Sequence, residues 1–401
     1  MALNKKSWLL IIINTIHAII NLFYSTFLVA YFLNITKNNI IPSSLFYIFT
    51  FILVIIGFPA IGPLIKKGNK LFLYRMSFLV GFILLLLIIW LKENIVHYVW
   101  ILGFVFGIEK IFYWFPQNVL ISETANKNQL VKYTGYSMFF WGMAKIITPV
   151  ILGYFISLNS FINTAVFILG LSIILFILSF LLKDTKFQTK KFNLKALLVL
   201  ATRHNKIKTV LKVEFLKGIT LDIIDTLIIL YIVYMFKTNL NLGIFTSLFA
   251  ICSVATNFIL GYRCSFKSFR IILLIANIFL FSATAYFVFD TSKFTFIIYN
   301  LIFATAGETV RTITEINMYK MSQDKSVVVH YRAEYIALRE IVLNLGRIIG
   351  FTMVILVALS NHEMLLKYLI LLLSIILAYV GYLSVILIKS NLLKKARISL
   401  S

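Results

Sequence analysis

Long apolar runs follow one another along this chain, separated by short segments rich in lysine and arginine. About 20 consecutive apolar residues are enough to cross a bilayer as a helix. The strands of a membrane barrel alternate apolar with polar residues, whereas runs such as FILLLLIIWL and VFILGLSIILFILSFLL do not alternate. The chain is therefore predicted to be an all-α polytopic membrane protein in contact with the lipid bilayer.

Composition agrees with this prediction, since 61% of the residues are hydrophobic whereas soluble proteins have about 45–50%. The net charge of +24 raises the alternative of a nucleic-acid partner. We exclude that partner because the positive charge lies in short connections between apolar runs, which is the signal for membrane orientation.

Twelve spans account for the apolar runs, and the first is too long for the apolar core of a cleaved signal peptide. They are predicted at about 8–33, 44–65, 71–91, 96–121, 131–157, 161–182, 209–236, 243–262, 270–289, 294–321, 332–358 and 365–388. This arrangement divides the chain into six-helix bundles at 1–182 and 209–401, joined by a basic linker at 183–208. The linker contains NLKALLVLATRHNKIK, which is either an amphipathic helix at the membrane surface or a solvated segment with a helical piece.

Every second connection between the spans is basic. The only lysines and arginines in or near the other connections are Lys37, Lys92, Lys237, Lys293 and Lys367. Because lysine and arginine collect on the cytoplasmic side, both termini are predicted to be cytoplasmic, in a multi-pass protein of the cell membrane.

The two halves resemble a diverged repeat. GIEKIFYWFPQNVLIS, which starts at Gly107, shares Gly, Glu, Asn and Ser in order with GETVRTITEINMYKMS, which starts at Gly307. PVILG, starting at Pro149, falls opposite GRIIG, starting at Gly346. Internal repeats are common in secondary transporters.

Ionisable residues recur with a period of three spans. They are concentrated in spans one, four, seven and ten, with additional charges in five and eleven, and are absent from the interiors of three, six, nine and twelve. Charges inside a membrane normally face the interior of a bundle or a watery cavity. Spans one, four, seven and ten are therefore predicted to surround a central cavity.

Helical spacing places the polar residues of these spans on stripes along one helix face. The stripes are Asn14, His17 and Asn21 on span one, Glu109 and Tyr113 on span four, and Glu308, Arg311 and Glu315 on span ten. Arg311 is predicted to lie within salt-bridge reach of Glu308 or Glu315. Lys145 on span five is a candidate partner of Glu109.

A loop motif completes a resemblance to a known family. Gly62–Lys70 reads GPLIKKGNK, at the position where the major facilitator superfamily has G-x-x-x-D-R/K-x-G-R/K-R/K between spans two and three. Together with twelve spans, cytoplasmic termini and a long central loop, it resembles that superfamily over the whole chain. The motif's Asp is absent, so its gating role does not carry over. Thr148-Pro149 with Gly153 is similar to a Gly-Pro motif of exporting members.

The resemblance implies a secondary transporter that moves a small polar, charged or amphiphilic molecule by alternating access. Carboxylates buried in a membrane can take up protons near neutral pH, so coupling to protons is assigned to Asp222, Asp225 and Glu308. Arg347 is the candidate for an anionic substrate group, because guanidinium binds carboxylate or phosphate through two hydrogen bonds. The predicted substrate-binding residues are His17, Asn21, Glu109, Lys145, Arg311 and Arg347, and the predicted structural ion pairs involve Glu315, Arg339 and Glu340.

Other classes of function have weaker support in the sequence. A membrane-embedded enzyme would need a catalytic motif, and HExxH, GxSxG and nucleotide-binding loops are absent. A non-transporting receptor would need an interaction domain, for which no loop is long enough. A lipid or glycolipid flippase on the same fold remains an alternative. No cofactor or metal site is predicted from Cys252 and Cys264, and we expect a monomer.

The predicted orientation can be tested with cysteines near the chain ends. Leu3→Cys and Ser399→Cys should resist a membrane-impermeant thiol reagent in intact cells and react after permeabilisation, because both ends are expected to be cytoplasmic. Labelling of either cysteine from outside intact cells would overturn the orientation.

Overall fold

The computed structural model describes residues 5–124, 127–182, 192–263, 268–322, 332–360 and 363–398. Its α-helices are α1 (Lys5–Leu22), α2 (Val29–Ile35), α3 (Ile41–Lys66), α4 (Lys70–Leu91), α5 (Val99–Thr124), α6 (Lys127–Leu158), α7 (Phe161–Ser179), α8 (Leu194–Arg203), α9 (Asn205–Phe236), α10 (Asn239–Arg263), α11 (Phe269–Phe289), α12 (Lys293–Ile302), α13 (Glu308–Ser322), α14 (Arg332–Leu359) and α15 (Glu363–Ile398). Wide π-helical turns at Phe23–Leu28 and Phe303–Gly307 join α1 to α2 and α12 to α13.

These helices confirm the all-α class, and helical segments lie at the position of each of the twelve predicted spans. Among the described residues, ten stretches are long and apolar enough to cross a membrane. One of them, Lys70–Leu120, contains predicted spans three and four. The stretch from Lys293 to Ser322 is not among the ten and carries Glu308, Arg311 and Glu315. The count of twelve crossings therefore stays a prediction.

The linker contains the helix that its sequence predicted, because α8 covers Leu194–Arg203. Whether this helix lies on the membrane surface stays a prediction. Linker residues 183–191 and Cys264 lie outside the described residues.

The chain packs into two compact units. The first unit contains Met1–Phe192 with Ile229–Ala250, and the second contains Asn193–Ile228 with Ile251–Ser401. Because α9 and α10 each contribute to both units, the division into bundles 1–182 and 209–401 stays a prediction.

Glycines hold α9 and α14 together in the second unit. A Cβ atom added to Gly346 would lie 2.1 Å from the carbonyl oxygen of Phe215, and one added to Gly218 would lie 2.1 Å from that of Leu343. The two backbones are therefore in direct contact, the packing that small residues spaced four apart allow between membrane helices. This contact places Asp222, one turn beyond Gly218, beside Arg347.

The two glycines matched by the internal repeat both lie at helix contacts within their own units. A Cβ atom on Gly153 would lie 2.5 Å from the carbonyl oxygen of Asn239 in the first unit. A Cβ atom on Gly350 would lie 2.7 Å from that of Ile219 in the second unit. The repeated sequence thus marks close helix packing in both units.

Gly346→Ala should destabilise the protein, because its methyl group would push α14 away from the α9 backbone. Overpacking of this kind costs about 1–3 kcal/mol. Gly170→Ala is the matched control, because a Cβ atom there meets nothing within 4 Å and alanine favours the helix by about 1 kcal/mol over glycine. The melting temperature in detergent should fall for Gly346→Ala and stay level or rise for Gly170→Ala. Equal changes in both variants would contradict the close contact.

Candidate functional site

The polar stripe predicted on span one faces α5 in the first unit. Asn14, His17 and Asn21 follow at intervals of three and four residues, so they share one face of α1. Tyr113 donates a hydrogen bond to Asn14 Oδ1 at 2.8 Å, and the Lys110 ammonium donates one to Asn21 Oδ1. The structure therefore brings together the predicted polar faces of spans one and four.

A buried contact between a histidine and a glutamate lies in the middle of this helix interface. His17 Nε2 is 2.7 Å from Glu109 Oε1, and the two side chains are only 7% and 4% exposed. The imidazole stacks on the Tyr113 ring with a centroid distance of 3.4 Å, and its centroid lies 6.4 Å from that of the Trp114 ring, which is nearly perpendicular to it. Among the described residues, no hydrogen-bond donor reaches the second carboxylate oxygen, Glu109 Oε2, although this oxygen is buried.

A ladder of neutral polar groups continues from the pair toward the start of α1 and the end of α5. Gln117 Nε2 donates to Asn14 Oδ1, and Asn14 Nδ2 donates to Tyr133 Oη at 3.2 Å. Buried polar groups need such partners because an unsatisfied donor or acceptor costs about 1–3 kcal/mol. The ladder fixes the register of α1, α5 and α6.

Lys145 was a candidate partner of Glu109, but the two side chains do not form a pair in the structure. The Lys145 ammonium lies 4.0 Å from the centroid of the Trp141 ring, where an aromatic face stabilises a cation. Lys145 does not bind Glu109 because that carboxylate already pairs with His17 of α1.

In the second unit, one group of charges surrounds a buried carboxylate. Glu214 is completely buried and lies 2.9 Å from both Lys217 and Arg339. Arg339 also lies 2.5 Å from Glu340. Two carboxylates and two cations are thus balanced in one cluster. The structural role of Arg339 and Glu340 stays a prediction.

Two further ion pairs in the same unit are partly exposed. Arg347 Nε lies 2.8 Å from Asp222 Oδ2, and Arg311 Nη2 lies 2.8 Å from Asp225 Oδ2. The two aspartate side chains are 35% and 45% exposed. A charge that faces lipid is expensive, so we expect these pairs to face a polar space. They bring together four predicted site residues from α9, α13 and α14.

Span ten confirms one predicted contact and corrects another. Arg311 Nε lies 3.6 Å from Glu308 Oε2, as its spacing of three residues predicted. Glu308 Oε1 also accepts a hydrogen bond from Asn257 at 2.7 Å. Glu315 was expected to join this network, but it is exposed and forms no ion pair within the described part of the chain. The guanidinium turns instead toward α9, where Asp225 supplies a closer carboxylate.

The arginine partners of Asp222 and Asp225 were not predicted from the sequence, because they lie on other helices, α14 and α13. A signal for one of them is present in the sequence. Glu214 and Asp222 on α9 are eight residues apart, and so are Arg339 and Arg347 on α14. Both pairs join residues that are 125 positions apart, as parallel helices in constant register require.

The two kinds of ion pair should differ in their contribution to stability. Glu214→Gln should cost about 3–5 kcal/mol, because it leaves buried cations uncompensated. Asp225→Asn should cost far less, since exposed pairs contribute about 0–1 kcal/mol and Arg311 keeps Glu308. Melting temperatures in detergent measure the difference, and a larger loss for Asp225→Asn would contradict the assignment of the buried cluster to structure.

The chain is similar to known proteins in sequence and in structure. The protein is 26% identical over 304 residues to the uncharacterized protein YqgE of Bacillus subtilis (strain 168), which covers 74% of this chain and 69% of that protein. A crystal structure of a bacterial homologue of the iron transporter ferroportin, in its inward-facing state, superposes with a TM-score of 0.70 and 11% identity. That likeness covers 96% of this chain and all of the other chain.

A second solved structure, of a bacterial metal transporter, superposes with a TM-score of 0.64 and 11% identity, over 96% of this chain and 99% of that chain. At such low identity, both structures show the fold alone. The family model described as Major Facilitator Superfamily matches residues 7–351. The chain therefore belongs to the major facilitator superfamily.

Proposed function

We propose that this protein is a proton-linked secondary transporter of a small molecule that carries an anionic group. The observation that carries the proposal is the pair of partly exposed bridges, Asp222 with Arg347 and Asp225 with Arg311. Each bridge holds a guanidinium, which binds carboxylate or phosphate through two hydrogen bonds. Each also holds a carboxylate that a substrate anion can replace.

The replacement itself supplies a link to protons. When a substrate anion binds Arg347, Asp222 loses its counter-charge while it remains within a membrane-spanning helix. An unpaired carboxylate in such a place is unfavourable, and uptake of a proton removes its charge. Substrate and proton then bind together, and release of the proton restores the original bridge. Asp225 and Arg311 form a second bridge of the same kind.

Alternating access then has a defined requirement. In the empty protein, the arginines pair with the protein's own aspartates. In the loaded protein, the arginines pair with the substrate, and protons neutralise the aspartates. Both states are free of uncompensated charge, so both can change conformation within the bilayer. A state with substrate and no proton would carry an unpaired aspartate, which favours coupled transport.

Metal ions are a separate class of substrate that the test should include. One structurally similar protein is described as a bacterial homologue of the iron transporter ferroportin and the other as a bacterial metal transporter, but the likeness shows only the fold. Within the described ranges, no three histidine, cysteine, aspartate or glutamate residues are grouped so that they could hold a metal ion. The arginines at the proposed site favour an anionic group.

A stabilisation screen should identify the substrate class. Purified protein is heated with small carboxylates, phosphate esters, amino acids, amines and divalent metal salts, and the melting temperature is recorded. We expect stabilisation by a compound with a carboxylate or phosphate group, and its loss in Arg347→Gln. Arg270→Gln is the matched control, because it removes an exposed guanidinium of α11. Stabilisation by cations alone would overturn the anionic assignment.

Flux measurements should separate binding from coupling. In proteoliposomes, an imposed pH gradient should drive accumulation of the compound found in the screen. Asp222→Asn should still bind it, because the competing carboxylate is gone, but should lose accumulation driven by the gradient. Full accumulation in both Asp222→Asn and Asp225→Asn, or accumulation by the parent without a gradient, would contradict this mechanism.

A further inference from the structure

The buried pair between His17 and Glu109 has no part in the mechanism described for the second unit. Both side chains are almost fully enclosed, and their contact joins α1 to α5 at 2.7 Å. Unlike an aspartate bound to arginine, this pair has two partners that can change protonation, since histidine titrates near neutral pH in water and guanidinium does not.

The geometry leaves places for one more proton. One hydrogen occupies the contact between Nε2 and Oε1, whereas no donor among the described residues reaches the buried oxygen Glu109 Oε2. A buried acceptor without a donor is unfavourable. A proton on this oxygen, or on the second ring nitrogen of His17, changes the charge of the pair by one without a side-chain rearrangement.

Apart from His17, the described ionisable groups around the pair do not titrate near neutral pH in water. The described ionisable groups that face the pair from α1, α4, α5, α6 and the π-helical turn are Lys110, Tyr24, Tyr74, Tyr113 and Tyr133. Lysine and tyrosine titrate near pH 10 in water. The Lys110 ammonium bonds to Asn21 and lies 4.5 Å from the Phe106 ring centroid, and the polar ladder through Asn14 and Gln117 leads to the pair from one side.

We propose that His17 and Glu109 form a second proton-binding site, held entirely within the first unit. The use of this site for coupling rests on the proton-linked transport proposed above. Proton binding by the pair is independent of that proposal. The protein then exchanges protons at two places of different construction. In the second unit, an aspartate becomes able to bind a proton when a substrate displaces it from its arginine. In the first unit, the enclosed pair of His17 and Glu109 binds a proton without substrate.

Trp114 provides a direct readout of the proton, because its ring lies 6.4 Å from the His17 ring and a protonated imidazole quenches indole fluorescence. The other tryptophans are replaced by phenylalanine: Trp8, Trp90, Trp100 and Trp141. The emission of Trp114 is then followed from pH 8 to pH 5 in detergent without any substrate. We expect the emission to fall as the pH is lowered.

Variants assign the transition to the pair. His17→Gln should abolish it, and Glu109→Gln should move it to lower pH, because the carboxylate that favours the charged imidazole is lost. His97→Gln is the matched control, since His97 lies exposed in the turn Lys92–Tyr98, and should leave the transition unchanged. Gel filtration verifies that each variant is folded, and Glu109→Gln decides the case if His17→Gln does not fold.

A flat emission over this range in the parent would overturn the proposal. A transition that persists in His17→Gln, or that does not move in Glu109→Gln, would overturn it as well. None of these outcomes depends on the substrate screen. Failure of the proposed transport function and failure of this proton site are therefore distinguishable.

Discussion

A charge in a membrane-spanning helix needs a partner, and this requirement organises both units of the protein. Water is absent from the bilayer core, so an ionised side chain there is stabilised by an opposite charge, hydrogen bonds or a polar cavity. The first unit pairs Glu109 with His17. The second pairs Glu214, Asp222 and Asp225 of α9 with arginines of α13 and α14. Each of these pairs joins two helices and fixes their register.

Burial divides the pairs into two kinds with different consequences. Glu214 is fully enclosed among cations, so its cluster holds α9 and α14 together. Asp222 and Asp225 are partly open, so another ion can compete for their arginines. Closely packed glycines at Gly218 and Gly346 bring the helices near enough for both kinds of pair to form. Structure and candidate site therefore depend on the same helix contact.

The predicted stripes led to correct contacts where both partners were polar and regularly spaced. Asn14 and His17 on α1 contact Tyr113 and Glu109 on α5, as two facing stripes require. The stripes were less informative where three helices compete for one side chain. Arg311 was predicted from its own helix to bind Glu308 or Glu315, whereas its shortest ion pair is with Asp225 of α9.

The sequence by itself determined the helical class and the positions of the helices, because long apolar runs are properties of local segments. It also determined which helices carry charge. The superfamily was indicated by a resemblance in architecture and loop motif, and the family model then showed it. Only the tertiary structure decided the partners, placing Glu109 with His17 and Asp222 with Arg347. The reason is that each of these pairs depends on the rotation and separation of helices that are distant in the sequence, with 92 positions from His17 to Glu109 and 125 from Asp222 to Arg347. A small axial rotation would change every partner while leaving the apolar pattern of each span unaltered.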